Sequence, residues 1–284
     1  MPFALSAAIA FIYGTVVGSF LNVCIWRMPR DESIVRPPSH CPNCDHKLSG
    51  WELVPLFSFL LLGRKCRKCG EPISWRYFGV ELLTGVFFVA LLARYGWQLE
   101  FFSLALFGSA LIAAFFIDLE HWIIPDQLTI FGIIIGVAHD IIGVAIGQSK
   151  LMKIPLPFTD ATLPMLESIF GLVICGAIFY AIAVLGELAF KKEAMGGGDI
   201  KLAAAIGANL PIGLALLSFF VAVAVGSVIG IAWMITMRVM RKDAKSYVPF
   251  GPMMVAGVIV VAFFGPQLID AYMAYLRSGG LTIK

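Results

Sequence analysis

The sequence predicts an all-α integral membrane protein of about eight transmembrane helices, with a polar insertion between helices 1 and 2. Hydrophobic residues make up 60% of the chain and charged residues only 14%, whereas soluble domains carry about 25% charged residues. The apolar residues gather in long uncharged runs near the roughly 20 residues that a helix needs to cross a bilayer. Two Cys-x-x-Cys pairs lie together in the polar insertion. These observations exclude a water-soluble fold and favour a multi-span protein with a metal-binding module.

Three regions follow from the charge distribution. Residues 1–26 hold no charge and no basic n-region, so they predict helix 1 rather than a cleavable signal. Residues 27–76 form the polar insertion, in which the apolar stretch Val54–Leu62 is too short to span and is expected to be interfacial or packed. Residues 77–284 are predicted to hold helices 2–8, which form the core expected to carry the catalytic groups.

Apolar runs place the predicted helices in order. Helices 2 to 5 are expected at Tyr77–Ala93, Phe101–Ile117, Gln127–Ala145 and Met165–Phe190. The chain from Leu202 to Met237 is uncharged and is interrupted by Asn209-Leu210-Pro211. This length is long for one span and short for two, so we expect a short helix 6, a tight turn and a long helix 7. Helix 8 is expected to end near Ile269.

Basic residues predict the orientation. The insertion holds nine of the 21 Lys and Arg residues, and the segments 191–201 and 238–245 hold three and four. Because Lys and Arg concentrate on the cytoplasmic side, these three segments are expected in the cytoplasm. With eight spans, both termini are then expected outside the membrane, and the insertion becomes a cytoplasmic module.

Two aspartates stand at the edges of apolar runs. Asp199 follows three glycines and precedes a long uncharged segment, and Asp118 ends the run predicted as helix 3. An ionisable group at the membrane is costly and indicates a functional site, although an Asp before a helix is often only an N-cap. The predicted topology places both carboxylates at the cytoplasmic face. Gly196, Gly198 and Lys201 would form the supporting loop around Asp199.

Two carboxylates that share a site share a proton, because both cannot ionise cheaply. One can then accept a proton from water while the other polarises a peptide carbonyl, which is the chemistry of aspartyl proteolysis. Neither Asp118 nor Asp199 is assigned alone as acid or base. For the remaining acids we favour structural roles, least firmly for Glu81; they are Glu81, Glu120, Asp126, Asp140 and Glu187.

The cysteine pattern predicts a metal site. Two Cys-x-x-Cys pairs separated by 21 residues suit tetrahedral zinc, with ligands Cys41, Cys44, Cys66 and Cys69. Disulfide bonding is the alternative, and a cytoplasmic location argues against it. A four-cysteine site is closed and structural. His40 and His46 are not needed as ligands, and the other two cysteines, Cys24 and Cys175, are expected to be buried in helices.

Several motifs in order resemble the type IV prepilin peptidases, a branch of the intramembrane GxGD aspartyl proteases. They are Gly18-Ser19-Phe20-Leu21-Asn22-Val23, the cysteine insertion, Ile117-Asp118, Ile124-Pro125-Asp126 and Gly196-x-Gly198-Asp199-x-Lys201. The resemblance implies cleavage of the leader of type IV prepilins or type II secretion pseudopilins at the inner membrane. It implies that Asp118 and Asp199 are catalytic. It also implies methylation of the new N-terminal amine, commonly on Phe, with S-adenosylmethionine as methyl donor.

Two other functions stay open at this point. An ion-coupled transporter would also place acids in the membrane, and a membrane scaffold would need the zinc module but neither aspartate. The residues that bind S-adenosylmethionine are not identified, because no G-x-G-x-x-G element follows a strand. The expected partners are a prepilin or pseudopilin and membrane lipids; no nucleic-acid partner is expected.

Overall fold

The computed structural model describes residues 2–155, 162–192, 195–239 and 249–277. In these ranges the chain is almost entirely helical. The elements, in chain order, are α1 (Phe3–Arg27), α2 (Phe57–Leu61), α3 (Trp75–Tyr95), α4 (Leu99–His121), α5 (Asp126–Ala145), β1 (Met152–Pro155), β2 (Thr162–Met165), α6 (Glu167–Phe190), α7 (Gly197–Asn209), α8 (Ile212–Val239) and α9 (Gly251–Arg277). The chain divides into two compact units, residues 1–131 and 132–284.

In the first unit, α1 packs closely on α3, and α4 packs on both. Glycines make the α1–α3 contact possible: a Cβ on Gly18 would lie 2.7 Å from the Cα of Glu81, and one on Gly14 would lie 2.7 Å from the carbonyl oxygen of Thr84. Small residues permit this close approach of helix backbones in a membrane. The cysteine insertion is therefore bounded by two helices that are held firmly together.

In the second unit, α6 packs on α7 through a pair of glycines. A Cβ on Gly207 would collide with the carbonyl oxygen of Gly171, and a Cβ on Gly171 would collide with that of Gly207. Along α7, Leu202, Ala203 and Ile206 are buried. The helix that carries Asp199 is thus fixed by backbone contact with α6.

Seven helices of the described residues are long and apolar enough to cross a membrane, whereas about eight spans were predicted. The difference is α7, which has 13 residues and therefore a length of about 20 Å, short of the ~30 Å hydrocarbon core. The turn predicted at Asn209-Leu210-Pro211 is where α7 ends and α8 begins. There, Nδ2 of Asn209 donates hydrogen bonds to the carbonyl oxygens of Gly132 (2.7 Å) and Ala205 (2.8 Å).

Several local expectations were wrong. Helix 8, expected to end near Ile269, is α9 and continues to Arg277. The loop between helices 4 and 5 contains a short antiparallel pair, β1 with β2, where Ile154 faces Leu163 in the register; Pro157 lies outside the described residues. The helix that holds Asp118 does not end there but continues one turn to His121, because Leu119, Glu120 and His121 are all tolerated in a helix. Arg238, expected in a loop, belongs to the last turn of α8.

Candidate functional site

The four cysteines of the insertion converge on one point. Their sulfur atoms all lie within 4.8 Å of one another; Sγ of Cys41 is 3.8 Å from Sγ of Cys69, and Sγ of Cys44 is 3.9 Å from Sγ of Cys66. Four thiolates at about 2.3 Å from a zinc ion in a tetrahedron stand about 3.8 Å apart, whereas a disulfide needs about 2.05 Å. The arrangement therefore fits a zinc ion, as the spacing predicted, and no disulfide joins the described cysteines.

Two equivalent knuckles build this cluster. In the first, the amide of Cys41 donates to the carbonyl of His46 (2.9 Å), and in the second, the amide of Cys66 donates to the carbonyl of Glu71 (2.8 Å). Each turn needs a residue in the left-handed region after its second cysteine, Asp45 (φ 54°) and Gly70 (φ 75°). Backbone hydrogen bonds from Cys69 and Lys68 lower the pKa of the Cys66 thiol to about 6. A thiol of this kind is largely deprotonated at neutral pH, which is the state that binds a metal.

A buried carboxylate, Glu52, supports the insertion from behind. The hydroxyl and amide of Ser49 both donate to its Oε2 in a capping box. These bonds, the hydroxyl first, lower the pKa of Glu52. Nε2 of His46 lies 3.4 Å from the other carboxylate oxygen, Oε1. The imidazole of His46 thus contacts Glu52, whereas its backbone hydrogen-bonds to the thiol of Cys44 in the cluster.

A second buried carboxylate, Glu81, joins α3 to the insertion. Its Oε2 accepts a 2.8 Å hydrogen bond from the backbone amide of Leu56, the residue that precedes α2. In α2 itself, Phe59 is buried against the rings of Trp75 and Phe78, while Leu60 and Leu61 are exposed. The apolar segment Val54–Leu62 is therefore partly packed and partly exposed. Glu81 positions the start of α2, a role that the sequence did not decide.

A cavity of about 510 Å³ lies in the first unit, between α1, α3 and the cysteine insertion. Among its lining residues are Asn22 of α1, Glu52 and Cys41 of the insertion, and Tyr77 and Glu81 of α3. Asn22 is 2% exposed, and its Nδ2 donates to the carbonyl oxygen of Tyr77 at 3.0 Å. In the sequence, Asn22 is only a member of the motif Gly18-Ser19-Phe20-Leu21-Asn22-Val23. The structure shows that it also lines a cavity.

Asp118 belongs to the first unit, in the last turn of α4. It is 6% exposed, and its carbonyl oxygen accepts a 3.0 Å hydrogen bond from the amide of Trp122, which ends the helix in the left-handed conformation (φ 62°). Two residues further, Glu120 is exposed and pairs with Arg76 at 3.0 Å. Of these two acids on the same helix end, Asp118 is the one withdrawn from solvent.

Asp199 belongs to the second unit, where it is the third residue of α7 and is half-buried. Its amide donates to the carbonyl of Gly196 at 3.1 Å, and a carboxylate in the first turn is favoured by the helix dipole. None of the three glycines before Asp199, Gly196, Gly197 and Gly198, has a positive φ. A Cβ on Gly197 would meet no atom of the described residues within 4 Å, so the space beside Gly197 is open, whereas a Cβ on Gly196 would lie 3.7 Å from Oδ2 of Asp199. Lys201 is exposed on the same turn.

The other acids have structural settings. In the second unit, Oδ2 of Asp140 accepts a 2.6 Å hydrogen bond from the amide of Ser168 at the start of α6. Asp126 is the first residue of α5, and Glu187 lies exposed near the end of α6. The structural role expected for Asp140 is confirmed as a helix cap.

Both the N-terminal part and the remainder of the chain match known protein families. Residues 12–95 match the Bacterial Peptidase A24 N-terminal domain, and residues 104–231 match the Type IV leader peptidase family. A protein of Myxococcus xanthus is 42% identical over 72% of this chain and 56% of its own length. Proteins of Bacillus subtilis (34% identical, 94% of this chain, 97% of that protein) and Xanthomonas campestris (33%, 94%, 93%) are similar over nearly their whole lengths. All three are named Prepilin leader peptidase/N-methyltransferase. No solved structure matches.

Proposed function

The chain belongs to the type IV leader peptidase family, and we propose that it removes the leader peptide of type IV prepilins or pseudopilins and methylates the new N-terminal amine. The observation that supports this most directly is that the chain matches both family domains and is similar, over 94% of its length, to two proteins named for these two activities. A transporter or a scaffold would need neither match. The cysteine cluster, which fits zinc, lies in the N-terminal part.

We assign the peptidase chemistry to Asp118 and Asp199. Aspartyl proteolysis uses one ionised carboxylate to take a proton from water and one protonated carboxylate to donate to the carbonyl oxygen of the scissile bond. The water oxygen adds to the carbonyl carbon, and the C–N bond then breaks as the leaving nitrogen takes up a proton. Burial of Asp118 and the open space beside Gly197 support the assignment; Gly196, Gly198 and Lys201 are the supporting turn.

We place the insertion and both catalytic aspartates on the cytoplasmic side of the inner membrane. The basic residues of the insertion and of the segments near Lys191 and Arg238 support this orientation. Although α7 is too short to cross the hydrocarbon core, the chain can turn inside the membrane and return to the cytoplasm through α8. Such a turn is possible because non-helical backbone is tolerated at membrane depth where protein buries it. At the break, Leu210 is buried, and the side chain of Asn209 donates hydrogen bonds to the carbonyl oxygens of Gly132 and Ala205. Both termini then lie outside.

We propose that zinc is structural and that methyl transfer uses S-adenosylmethionine. The four cysteine ligands would fill the coordination sphere of the ion, leaving no open position for catalysis. S-adenosylmethionine supplies an electrophilic methyl group, whose bonding electrons stay with sulfur when the amine nitrogen takes the carbon. The chain's task is to bind the donor and to hold the pilin amine in its neutral, nucleophilic form.

The test is to incubate the purified protein with a prepilin peptide and S-adenosylmethionine and to read product masses. We expect loss of the leader and a gain of one methyl group on the mature peptide. Asp118→Asn and Asp199→Asn, which keep the side-chain shape but cannot exchange the proton, should abolish cleavage. Glu120→Gln, an exposed acid two residues from Asp118, is the control and should cleave normally. Cleavage at a near-normal rate by either Asp variant would refute the assignment.

A further inference from the structure

We propose that the cavity between α1, α3 and the cysteine insertion binds S-adenosylmethionine, with Asn22 as a hydrogen-bond acceptor in its wall. The inference rests on the proposed methyltransferase activity, which needs a donor site that no sequence motif indicates. The cavity has a volume of about 510 Å³, within the range of about 300–1,000 Å³ typical of small-molecule sites. It lies wholly in the first unit and includes neither proposed catalytic aspartate.

One buried oxygen in the cavity's lining residues lacks a hydrogen-bond partner among the described residues, Oδ1 of Asn22, whereas Oε1 of Glu52 lies 3.4 Å from Nε2 of His46. The other polar atoms of these side chains are engaged, Nδ2 of Asn22 with Tyr77 and Oε2 of Glu52 with Ser49. A buried acceptor without a donor is costly and calls for an explanation. Since this orphan atom is an acceptor, a ligand that satisfies it must bring an N–H or O–H donor.

The charge of the wall favours a cation. Four carboxylates line the cavity, those of Glu32, Glu52, Glu71 and Glu81, against the two guanidinium groups of Arg27 and Arg67. Arg27 is already engaged: it donates to the carbonyl oxygens of Ser33 (2.9 Å) and Pro38 (3.4 Å). Trp26 and Tyr77 also line the cavity; the guanidinium groups of Arg30 and Arg76 already lie over these rings, at 3.8 Å and 5.1 Å from their centroids. S-adenosylmethionine has a sulfonium and an ammonium group, a planar adenine, and donors on its amine, ribose and adenine.

A lipid acyl chain fits less well, because it has no donors and Oδ1 of Asn22 would stay unpaired. Among the described residues, this unpaired acceptor and the acidic lining together favour the methyl donor.

The test measures donor binding with the full-length, zinc-loaded protein in lipid nanodiscs. Calorimetric titration with S-adenosylmethionine should show one site per chain in the wild type. Asn22→Leu, which removes the acceptor at similar size, should raise Kd about tenfold. Thr15→Val is the matched control: Thr15 is also buried on α1, bonds only within its own helix and is not among the cavity's lining residues. Its Kd should not change.

A second variant separates donor binding from the structural bond to Tyr77. Asn22→Asp keeps an acceptor oxygen but loses the amide that donates to Tyr77. We expect it to bind S-adenosylmethionine at least as tightly as the wild type, with zinc content and unfolding temperature measured for all variants. If Asn22→Asp and Asn22→Leu weaken binding equally, Asn22 acts through Tyr77 and the proposal fails.

Ultraviolet cross-linking with labelled S-adenosylmethionine gives an independent readout. Label should appear in peptides that line the cavity, those containing Asn22 or Tyr77, and labelling elsewhere would overturn the proposal. If the wild type methylates pilin but Asn22→Leu binds S-adenosylmethionine with an unchanged Kd, the proposed binding site is refuted while the methyltransferase function stands. A wild type that neither binds the donor nor methylates would overturn the proposed methyltransferase function as well.

Discussion

The backbone amide of Leu56 donates a 2.8 Å hydrogen bond to the carboxylate of Glu81, 25 residues later in the chain. Leu56 has a φ of 61°, a conformation that non-glycine residues rarely adopt. Glu81 is 8% exposed and lies where α1 and α3 are in backbone contact at Gly18. One carboxylate therefore holds the start of α2, and with it the middle of the cysteine insertion, against the helix pair.

Removal of this carboxylate should loosen the insertion. Glu81→Ala leaves the part-buried amide of Leu56 without its acceptor, and we expect it to lower the free energy of unfolding by about 1–3 kcal/mol. Glu81→Gln keeps an acceptor oxygen and should lose less. Limited proteolysis of the segment 53–62 and thermal unfolding measure both. Equal resistance of Glu81→Ala and wild type would show that the hydrogen bond does not hold α2.

Zinc should be present at one ion per chain. Cys41→Ser should release it, because one lost thiolate breaks a closed four-sulfur site whose binding contributes directly to folding. The insertion should then become sensitive to protease. Cys24→Ser, a cysteine buried in α1 away from the cluster, is the control and should retain zinc. Metal analysis that finds no zinc in the wild type, or zinc in a protein lacking two of the four cysteines, would contradict the prediction.

The insertion should also lose a specific stabilisation in acid. Ser49 lowers the pKa of Glu52 in the folded protein, so the unfolded chain takes up that proton at a higher pH than the folded chain. The stabilisation is therefore complete near neutral pH and is lost as the pH falls through the folded pKa, below the ordinary Glu value of about 4.3. The difference in unfolding free energy between wild type and Glu52→Gln should shrink over that range. Acid release of zinc affects both proteins and largely cancels; a difference independent of pH would contradict the assignment.

The sequence predicted the parts of this molecule that depend on composition and spacing. Uncharged runs placed most of the long helices to within a few residues, although α9 continues to Arg277 rather than ending near Ile269. The two Cys-x-x-Cys pairs predicted four sulfurs that the structure brings together. The extent of α7 was harder to predict, because most of its 13 residues belong to the uncharged run 202–237, in which Asn209-Leu210-Pro211 marks the break before α8. The roles of Asn22 and Glu81 depend on contacts between residues far apart in the chain. Such contacts cannot be predicted from helical periodicity.

The glycine pair between α6 and α7 should matter to cleavage although it touches no substrate. A Cβ on Gly207 would collide with the carbonyl of Gly171 and lie 2.7 Å from Sγ of Cys175, so Gly207→Ala must shift the helix that carries Asp199. Misplacement of a catalytic group by about 1 Å can reduce a rate about 100-fold. Gly176→Ala is the matched control, because its Cβ would lie an ordinary 3.4 Å from the Cβ of Ala204. Equal leader-cleavage rates in the two variants would rule out this coupling.

The two proposed activities should separate genetically. Peptide hydrolysis needs carboxylates that exchange protons with water, whereas methyl transfer needs a donor site and a neutral amine, and nothing in the second reaction requires an aspartate pair. The cysteine insertion and the cavity beside it lie in the first unit, and Asp199 lies in the second. We therefore expect Asp199→Ala to methylate a pre-cleaved pilin peptide that begins with a free Phe, at close to the wild-type rate.

The measurement is incorporation of label from S-adenosylmethionine into that peptide, with uncleaved prepilin as the parallel substrate. Asp199→Ala should label the pre-cleaved peptide and leave the prepilin uncleaved. Cys41→Ser should lose more methylation than cleavage, because the cavity is lined by Cys41 and its neighbours. Zinc content and membrane insertion must match the wild type in the Asp199 variant. A folded, zinc-loaded Asp199→Ala protein that makes no methylated product would mean that the two reactions share one site, and that the cavity in the first unit is not sufficient for methyl transfer.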